Sequence, residues 1–238
     1  MATQASGTVK EIQDEQVWGA LYAGFVPRIH RHGTREAAAG FARLGLGPGL
    51  EEVASVAVRV RALTGWRLEA VDGMIGDRDF FALLGERRFP VAQEMRGPDE
   101  IEFARLPDRF HDIFGHTPLL VDPTYRDFLD GLAAAAGRNL DCPAALRSLA
   151  RIYWYVIECG LALEGGERRA FGAAILTSSA ECDRACAPDA DVAPLELEAI
   201  CAREYDSFGL QPKYFLLGSF ADLEGITREL HNRQWGRA

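Results

Sequence analysis

Apolar residues recur every three or four positions from Asp14 onward, through Val17, Leu21 and Phe25, which predicts a helix ended by Pro27. Residues 1–13 are polar and read as a flexible N-terminus ahead of a folded domain over 14–238. Thr34 is placed to cap a second helix that turns Ala37, Phe41 and Leu44 to one side until the GLGPG run. A third helix carries Val53, Val56 and Val60 inward and stops at Gly65. From Trp66 the rhythm becomes alternating, WRLEAV, a strand that enters a turn at Gly73. Asp77 then caps a short helix bearing Phe80 and Phe81. The chain from Phe89 to Arg96 reads as irregular or briefly extended, and GPDE opens a helical turn.

Asp122-Pro123 starts another helix, and Cys142-Pro143 opens the most apolar one, AALRSLARIYWYVIECGLALEGG. Phe171 to Thr177 reads as a strand running into a polar turn at Ser178-Ser179, with a surface loop over 182–193. PLELEAICARE is helical, KYFLLG is a strand, and Ser219 with Asp222 begins the last helix. The predicted fold is mainly α with small β-strands (α+β), in one catalytic-sized domain without internal repeats.

Charge narrows the class of partner. The net charge of −9 comes from 26 basic and 35 acidic side chains mixed along the 238 residues, which argues against nucleic acid or an anionic membrane surface. The five cysteines form no CxxC pair, and MATQASG has no apolar signal core, so a reduced, cytoplasmic protein is expected. No apolar run reaches the roughly 20 residues that span a bilayer. Too little chain follows Trp235 for a coiled-coil tail, which makes a monomer the simplest expectation.

The densest chemistry lies in PDRFHDIFGHTPLL, which sets His111, Asp112 and His116 within six residues. On a regular α-helix, residues five apart point about 140° from each other, so one ion could not take both imidazoles. Gly115 and Pro118 supply a break, placing His111 on a helix's last turns and His116 just past its end. The plain alternative is two ordinary histidines at a helix terminus, favoured by its dipole. A third ligand candidate is Glu158, a carboxylate among Ile157, Cys159 and Leu161, where ionisation is costly unless paired or metal-bound. Two histidines and one carboxylate form the facial set of non-haem Fe(II), yet the same ligands on zinc would make a hydrolase.

The segments TGWRLEAVDGMI, RDFF, RRFP, PDRFHDIFGHTPLL, ARIYWYVIECGL, AFGAAILTSSAE and APLELE, in that order, resemble the pterin-dependent aromatic amino acid hydroxylases, above all the short bacterial phenylalanine hydroxylases. The resemblance runs from about residue 14 to about 222. It implies that His111, His116 and Glu158 bind Fe(II), and that a tetrahydropterin stacks on Phe80 with contacts from Ile75, Asp77, Asp112 and Tyr153. Asp112 stands where animal enzymes have glutamate. It also implies that Arg96 clamps the carboxylate of L-phenylalanine or a related aromatic amino acid, with its planar fork suited to that task. Pro107, Trp154 and Ser178 would line the pocket, and Asp108 would orient Arg96 or a ligand histidine. The implied reaction uses O2 and the reduced pterin to hydroxylate the ring. The implied architecture lacks the regulatory domain and tetramerisation helix of animal relatives. Without the resemblance, Phe80, Tyr153 and Trp154 would be read as core.

Three positions depart from that pattern. Cys159 replaces a phenylalanine after the ligand glutamate, Ala174 replaces a glycine, and Thr177 replaces the first serine of a Ser-Ser pair. Each changes volume in the expected substrate wall, so attack at the meta (3) rather than the para (4) carbon stands as an alternative. Tryptophan or another aromatic amino acid is a further alternative substrate.

Overall fold

The structure is a computed structural model that describes residues 2–235, with side chains from residue 9 onward. Helix α1 spans Ala2–His32 and runs through Pro27, where the sequence predicts its end. Proline forfeits one rung of hydrogen bonding, yet Trp18, Leu21, Phe25 and Ile29 are all buried on one stripe of this helix. Burial of Ile29 beyond the proline offsets the lost bond, and Arg28 Nη1 donates to the Leu176 carbonyl at 3.0 Å.

Helix α2 (Arg35–Leu44) is capped by the Thr34 hydroxyl, which accepts from the Ala37 amide, and ends at Gly45 in the left-handed conformation. Helix α3 (Val53–Thr64) buries Val56 and Val60 and ends in the same way at Gly65. Strand β1 (Arg67–Val71), helix α4 (Asp77–Gly85) and strand β2 (Arg88–Ala92) form a parallel crossover unit in register from Arg67 opposite Arg88. Gly76 rather than Asp77 occupies the cap position of α4, and of the two readings of Phe89-Pro90, irregular or briefly extended, the structure has the extended one, strand β2. Helix α5 (Pro123–Gly137) starts at Asp122, whose carboxylate accepts from the Tyr125 amide. Helix α6 spans Pro143–Ile152.

The apolar run opened by Cys142 does not stay helical to its end. Strands β3 (Leu161–Glu164) and β4 (Glu167–Ala170) form an antiparallel hairpin, turned by Gly165 and Gly166, both at positive φ. The reading of Phe171–Thr177 as a strand is also overturned. Ala173–Thr177 is the short helix α7, followed by α8 (Ser179–Cys186) where a loop was expected. Strand β5 (Val192–Pro194), helix α9 (Leu197–Cys201), strand β6 (Tyr214–Leu217) and helix α10 (Leu223–Asn232) complete the chain. The larger sheet is ordered β4-β3-β6-β5. Ser219 and Asp222 form a reciprocal capping box before α10.

The core gathers on one side of the histidine segment. Phe110 and Phe114 stack at 4.3 Å with their planes 10° apart, and Trp18, Phe25 and Phe41 pack around the pair. With both phenylalanines locked into α1 and α2, the opposite face of the segment is turned towards a cavity.

Candidate active site

His111 and His116 both lie within a π-helical turn, His111–His116, rather than on either side of a helix end. Its wide ring is closed by the Thr117 amide and the Asp112 carbonyl, an i to i+5 bond. That bond brings residues five apart onto one face, which removes the angular objection raised by regular helix geometry. Gly115 therefore does not break the helix. A Cβ there would lie 2.7 Å from Ala173 Cβ and 3.1 Å from Ala173 Cα, so its hydrogen is what lets α7 pack against the turn. A second π-helical turn, Tyr153–Glu158, follows α6 and closes with the Cys159 amide on the Trp154 carbonyl at 2.9 Å. It carries Glu158 to the two histidines.

The three side chains meet in a triangle. His111 Nε2 and His116 Nε2 are 3.1 Å apart, and the two Glu158 oxygens lie 3.3 Å from His111 Nε2 and 3.2 Å from His116 Nε2. Ligands about 2.1 Å from one ion are separated by about 3.0 Å at right angles and about 3.4 Å in a tetrahedron. The triangle fits one ion of either geometry, and its surroundings must choose between them. Thr177 Oγ donates to the Ala173 carbonyl at 2.7 Å and so accepts from His111 Nδ1 at 2.9 Å. The proton is thereby fixed on Nδ1, and the Nε2 lone pair faces the centre of the triangle.

Electrostatics separates the two carboxylates. Burial alone would raise Glu158, but the His116 and His111 imidazoles outweigh it and hold this carboxyl well below the usual range. Burial pushes Asp112 up to about 6 against the pull of the same histidines. Asp112 also lies close enough to His111 and His116 to complete an alternative ligand group, but its Oδ2 accepts from the Ala92 amide at 2.6 Å. Glu158 is the carboxylate that spans both Nε2 atoms. For His111, burial lowers proton affinity, but the Glu158 charge reverses this and the net shift is upward.

A cavity of about 630 Å³ opens over the triangle, and every site residue singled out in the sequence reaches its wall. The lining includes Ile75, Asp77, Phe80 and Tyr153, with the Phe80 and Tyr153 rings edge to face at 4.7 Å. It also includes Arg96, Pro107, Asp108, Trp154, Ala174, Thr177 and Ser178. Cys159 belongs to this wall but has no exposed surface, and Ala174 rides on a helix rather than the expected strand. Arg96 is buried against Asp108, donating through Nε at 3.0 Å and Nη2 at 2.8 Å. Asp108 also accepts from the amides of Arg96 and His111, at 3.0 and 2.9 Å. Burial would raise this carboxyl, but the bonds and charge of Arg96 bring it net lower. One carboxylate thus ties the guanidinium to the first histidine, and Nη1 of Arg96 is left with a single contact, at 3.5 Å, to the Glu100 carbonyl.

Sequence reasoning passed over a network that ties part of this wall together, in which Glu181, Gln211, Tyr205 and Trp154 line the cavity. Glu181 accepts from the Tyr214 hydroxyl at 2.5 Å and from the Gln211 amide, while Gln211 Oε1 accepts from Trp154 Nε1 at 3.1 Å. Tyr205 stacks on Trp154 at 4.8 Å. These partners are 30 to 57 residues apart, and no local pattern announces them. Among the described residues, no helix is long and apolar enough to cross a membrane.

The family model described as biopterin-dependent aromatic amino acid hydroxylase matches residues 9–234. Phenylalanine-4-hydroxylase of Caulobacter vibrioides is 33% identical over 216 residues, covering 90% of this chain and 73% of the relative. The enzyme of the same name from Mesorhizobium japonicum is 36% identical over 199 residues, covering 79% and 72%. Among solved structures, Chromobacterium violaceum phenylalanine hydroxylase with bound iron(III) and 7,8-dihydrobiopterin superposes with a TM-score of 0.84 at 31% identity, covering 94% of this chain and 84% of that one. Its cobalt-bound form gives 0.86 at 30%, covering 96% and 87%. A match across nearly the whole chain, over a fold that brings two histidines and a glutamate together beneath an aromatic-lined cavity, makes this chain a member of the biopterin-dependent aromatic amino acid hydroxylase family.

Proposed function

We propose that the chain is a non-haem iron, tetrahydropterin-dependent monooxygenase that hydroxylates the ring of L-phenylalanine at the 4 position, as the names of its relatives state of them. The observation that carries the reading is the triangle of His111 Nε2, His116 Nε2 and the Glu158 carboxylate, with edges of 3.1 to 3.3 Å, facing an aromatic-lined cavity. These three residues would hold Fe(II), whose ligand set theirs matches. Iron and reduced pterin together supply the activation of dioxygen.

The protein's own groups bind and orient. Arg96 takes the amino acid carboxylate through Nη1, the nitrogen not bound to Asp108, and Asp108 keeps the guanidinium aimed by holding its other edge. Phe80 offers its ring to the pterin, flanked by Ile75, Asp77, Asp112 and Tyr153. Pro107, Trp154 and Ser178 enclose the substrate ring. Thr177 holds the His111 tautomer that presents a lone pair to the metal. A 630 Å³ space is large enough for two flat ring systems side by side. Zinc hydrolysis with the same triad would use neither the aromatic shelf nor the arginine.

A second regiochemistry is favoured by one observation: Cys159, Ala174 and Thr177 all line the cavity that Glu158 faces. A small residue after the glutamate and bulkier ones on α7 would displace the ring towards attack at carbon 3. The test is aerobic turnover of the Fe(II)-loaded protein with a synthetic tetrahydropterin and L-phenylalanine, resolving the tyrosine isomers by chromatography. Para-tyrosine supports the first reading and meta-tyrosine the second. Absence of any tyrosine, with tryptophan and other aromatic amino acids also unmodified, refutes the function.

A further inference from the structure

Away from the triad, a second group of soft donors comes together where α1 ends. His32 is the last residue of α1, and Cys182 and Cys186 sit one turn apart on α8. Their ligand atoms, one imidazole nitrogen and two sulfurs, all lie within 4.8 Å of one another. The two sulfurs are 4.0 Å apart, and neither cysteine is in a disulfide. Zinc–thiolate bonds of about 2.3 Å in a tetrahedron set sulfurs about 3.8 Å apart, so the pair already stands near the required spacing. Cys182 is buried, while Cys186 and His32 are half-buried, which shields the thiols yet leaves a path for an ion.

The local charges favour a thiolate at Cys186 more than at Cys182, which a divalent ion would have to deprotonate. The Cys186 contact and burial push the Cys182 thiol up against the pull of Arg28, while the Cys182 contact, Arg168 and Arg169 bring Cys186 net lower, with Asp183 the nearby anion. These guanidiniums are held in place by carbonyls, Arg28 on Leu176 and Arg168 on Ala185 and Ala187. They would oppose a bare cation, but two thiolates and a divalent ion are together neutral.

We propose that His32, Cys182 and Cys186 form a second metal site, distinct from the catalytic triad, that takes one thiophilic divalent ion of the zinc class. Three protein donors leave the fourth position to solvent, so the ion exchanges more readily than one caged by four residues. Its consequence is mechanical. It joins the end of α1 to α8, whose first turn carries Glu181 and whose cap is Ser178, both on the wall of the catalytic cavity.

Cobalt tests this, because only thiolate ligation gives an intense near-ultraviolet charge-transfer band, and the triad has no sulfur. The full chain, reduced and metal-free, is titrated anaerobically with Co(II). The expected band saturates by two equivalents in the native chain, whose triad also takes cobalt, is bleached by Zn(II), persists in His111→Ala and Cys159→Ala, and is lost in the Cys182→Ser, Cys186→Ser double variant. His32→Gln leaves both thiols in place and is expected to weaken Zn(II) binding about ten-fold or more in competition with a chromophoric chelator. No band, a band that survives the double variant or vanishes with Cys159→Ala, or unchanged Zn(II) affinity in His32→Gln would each overturn the proposal.

Discussion

Replacing Gly115 with alanine adds one methyl group at the point where α7 meets the first π-helical turn. The new Cβ would stand 2.7 Å from Ala173 Cβ, 3.1 Å from Ala173 Cα and 3.2 Å from Thr177 Cγ2. Ordinary contact begins near 3.4 Å, so the closest pair falls about 0.7 Å short. Neither atom of Ala173 can swing aside, and α7 has to move as a body. Overpacking of this kind costs about 1–3 kcal/mol. The moving helix carries Thr177, whose hydroxyl holds His111 Nδ1 at 2.9 Å, so the loss reaches the triad. A displacement of about 1 Å in a positioning group can cost about 100-fold in rate. Gly115→Ala is therefore expected to lower kcat/KM about 10- to 100-fold and stability by about 1–3 kcal/mol, read by tyrosine formation and urea unfolding. Adding Ala173→Gly removes the nearest clash, so the double variant should regain activity over Gly115→Ala alone. Its stability regains less, because glycine within a helix costs about 1 kcal/mol. A Gly115→Ala protein with native stability and activity, or a double variant no better than the single, would refute the packing argument.

Three other perturbations address the cavity and the triad. Arg96→Lys keeps the charge and loses the planar fork, so KM for L-phenylalanine should rise about ten-fold or more with a smaller change in kcat; an unchanged KM would remove Arg96 from substrate binding. Asp108 is held below the ordinary carboxylate value of about 4, so its contribution is complete above that pH and is lost as pH falls through the lower folded value. The stability advantage of the native protein over Asp108→Asn, measured by urea unfolding, should accordingly be larger at about pH 7 than at about pH 3.5, and an equal advantage at both would contradict this. Anaerobic Fe(II) at about 100 times its Kd should stabilise the protein by about 2.7 kcal/mol, or about 5–10 °C in Tm, and Glu158→Ala should abolish most of that shift.

Much of the helical framework was legible in the sequence because caps and periodicity are local. Thr34, Asp122 and the Ser219–Asp222 pair each sit at a helix start, and Gly45 and Gly65 each terminate one. The π-helical turns were not legible. Whether an extra residue is accommodated in a turn depends on what packs around it, here the Phe110–Phe114 stack on one side and Ala173 on the other. The hairpin at 161–170 did have a local signal in its Gly-Gly turn, but the apolar run from Ala144 to Leu163 masked where helix gives way to strand. Five apolar and small residues, Ala173–Thr177, suit helix or strand equally by pattern, and contact with Gly115 favours the helix.

The candidate site divides along the same line. His111 and His116 stand out by spacing, and Glu158 by its apolar neighbours, so the triangle could be anticipated before any coordinates. Arg96 has no local signal and is singled out by the family resemblance alone; its buried pairing with Asp108, twelve residues away, fixes its geometry. The Glu181, Tyr214, Gln211 and Trp154 network depends on contacts between distant segments and had no sequence signature.

The most direct test of the oxygenase reading is turnover of L-phenylalanine by the Fe(II)-loaded protein under isotopically heavy dioxygen in ordinary water, with the product weighed by mass spectrometry. The expected tyrosine carries one heavy oxygen atom and forms only when Fe(II) and the tetrahydropterin are both present. A product whose new oxygen comes from water, or one formed without the pterin, would contradict it.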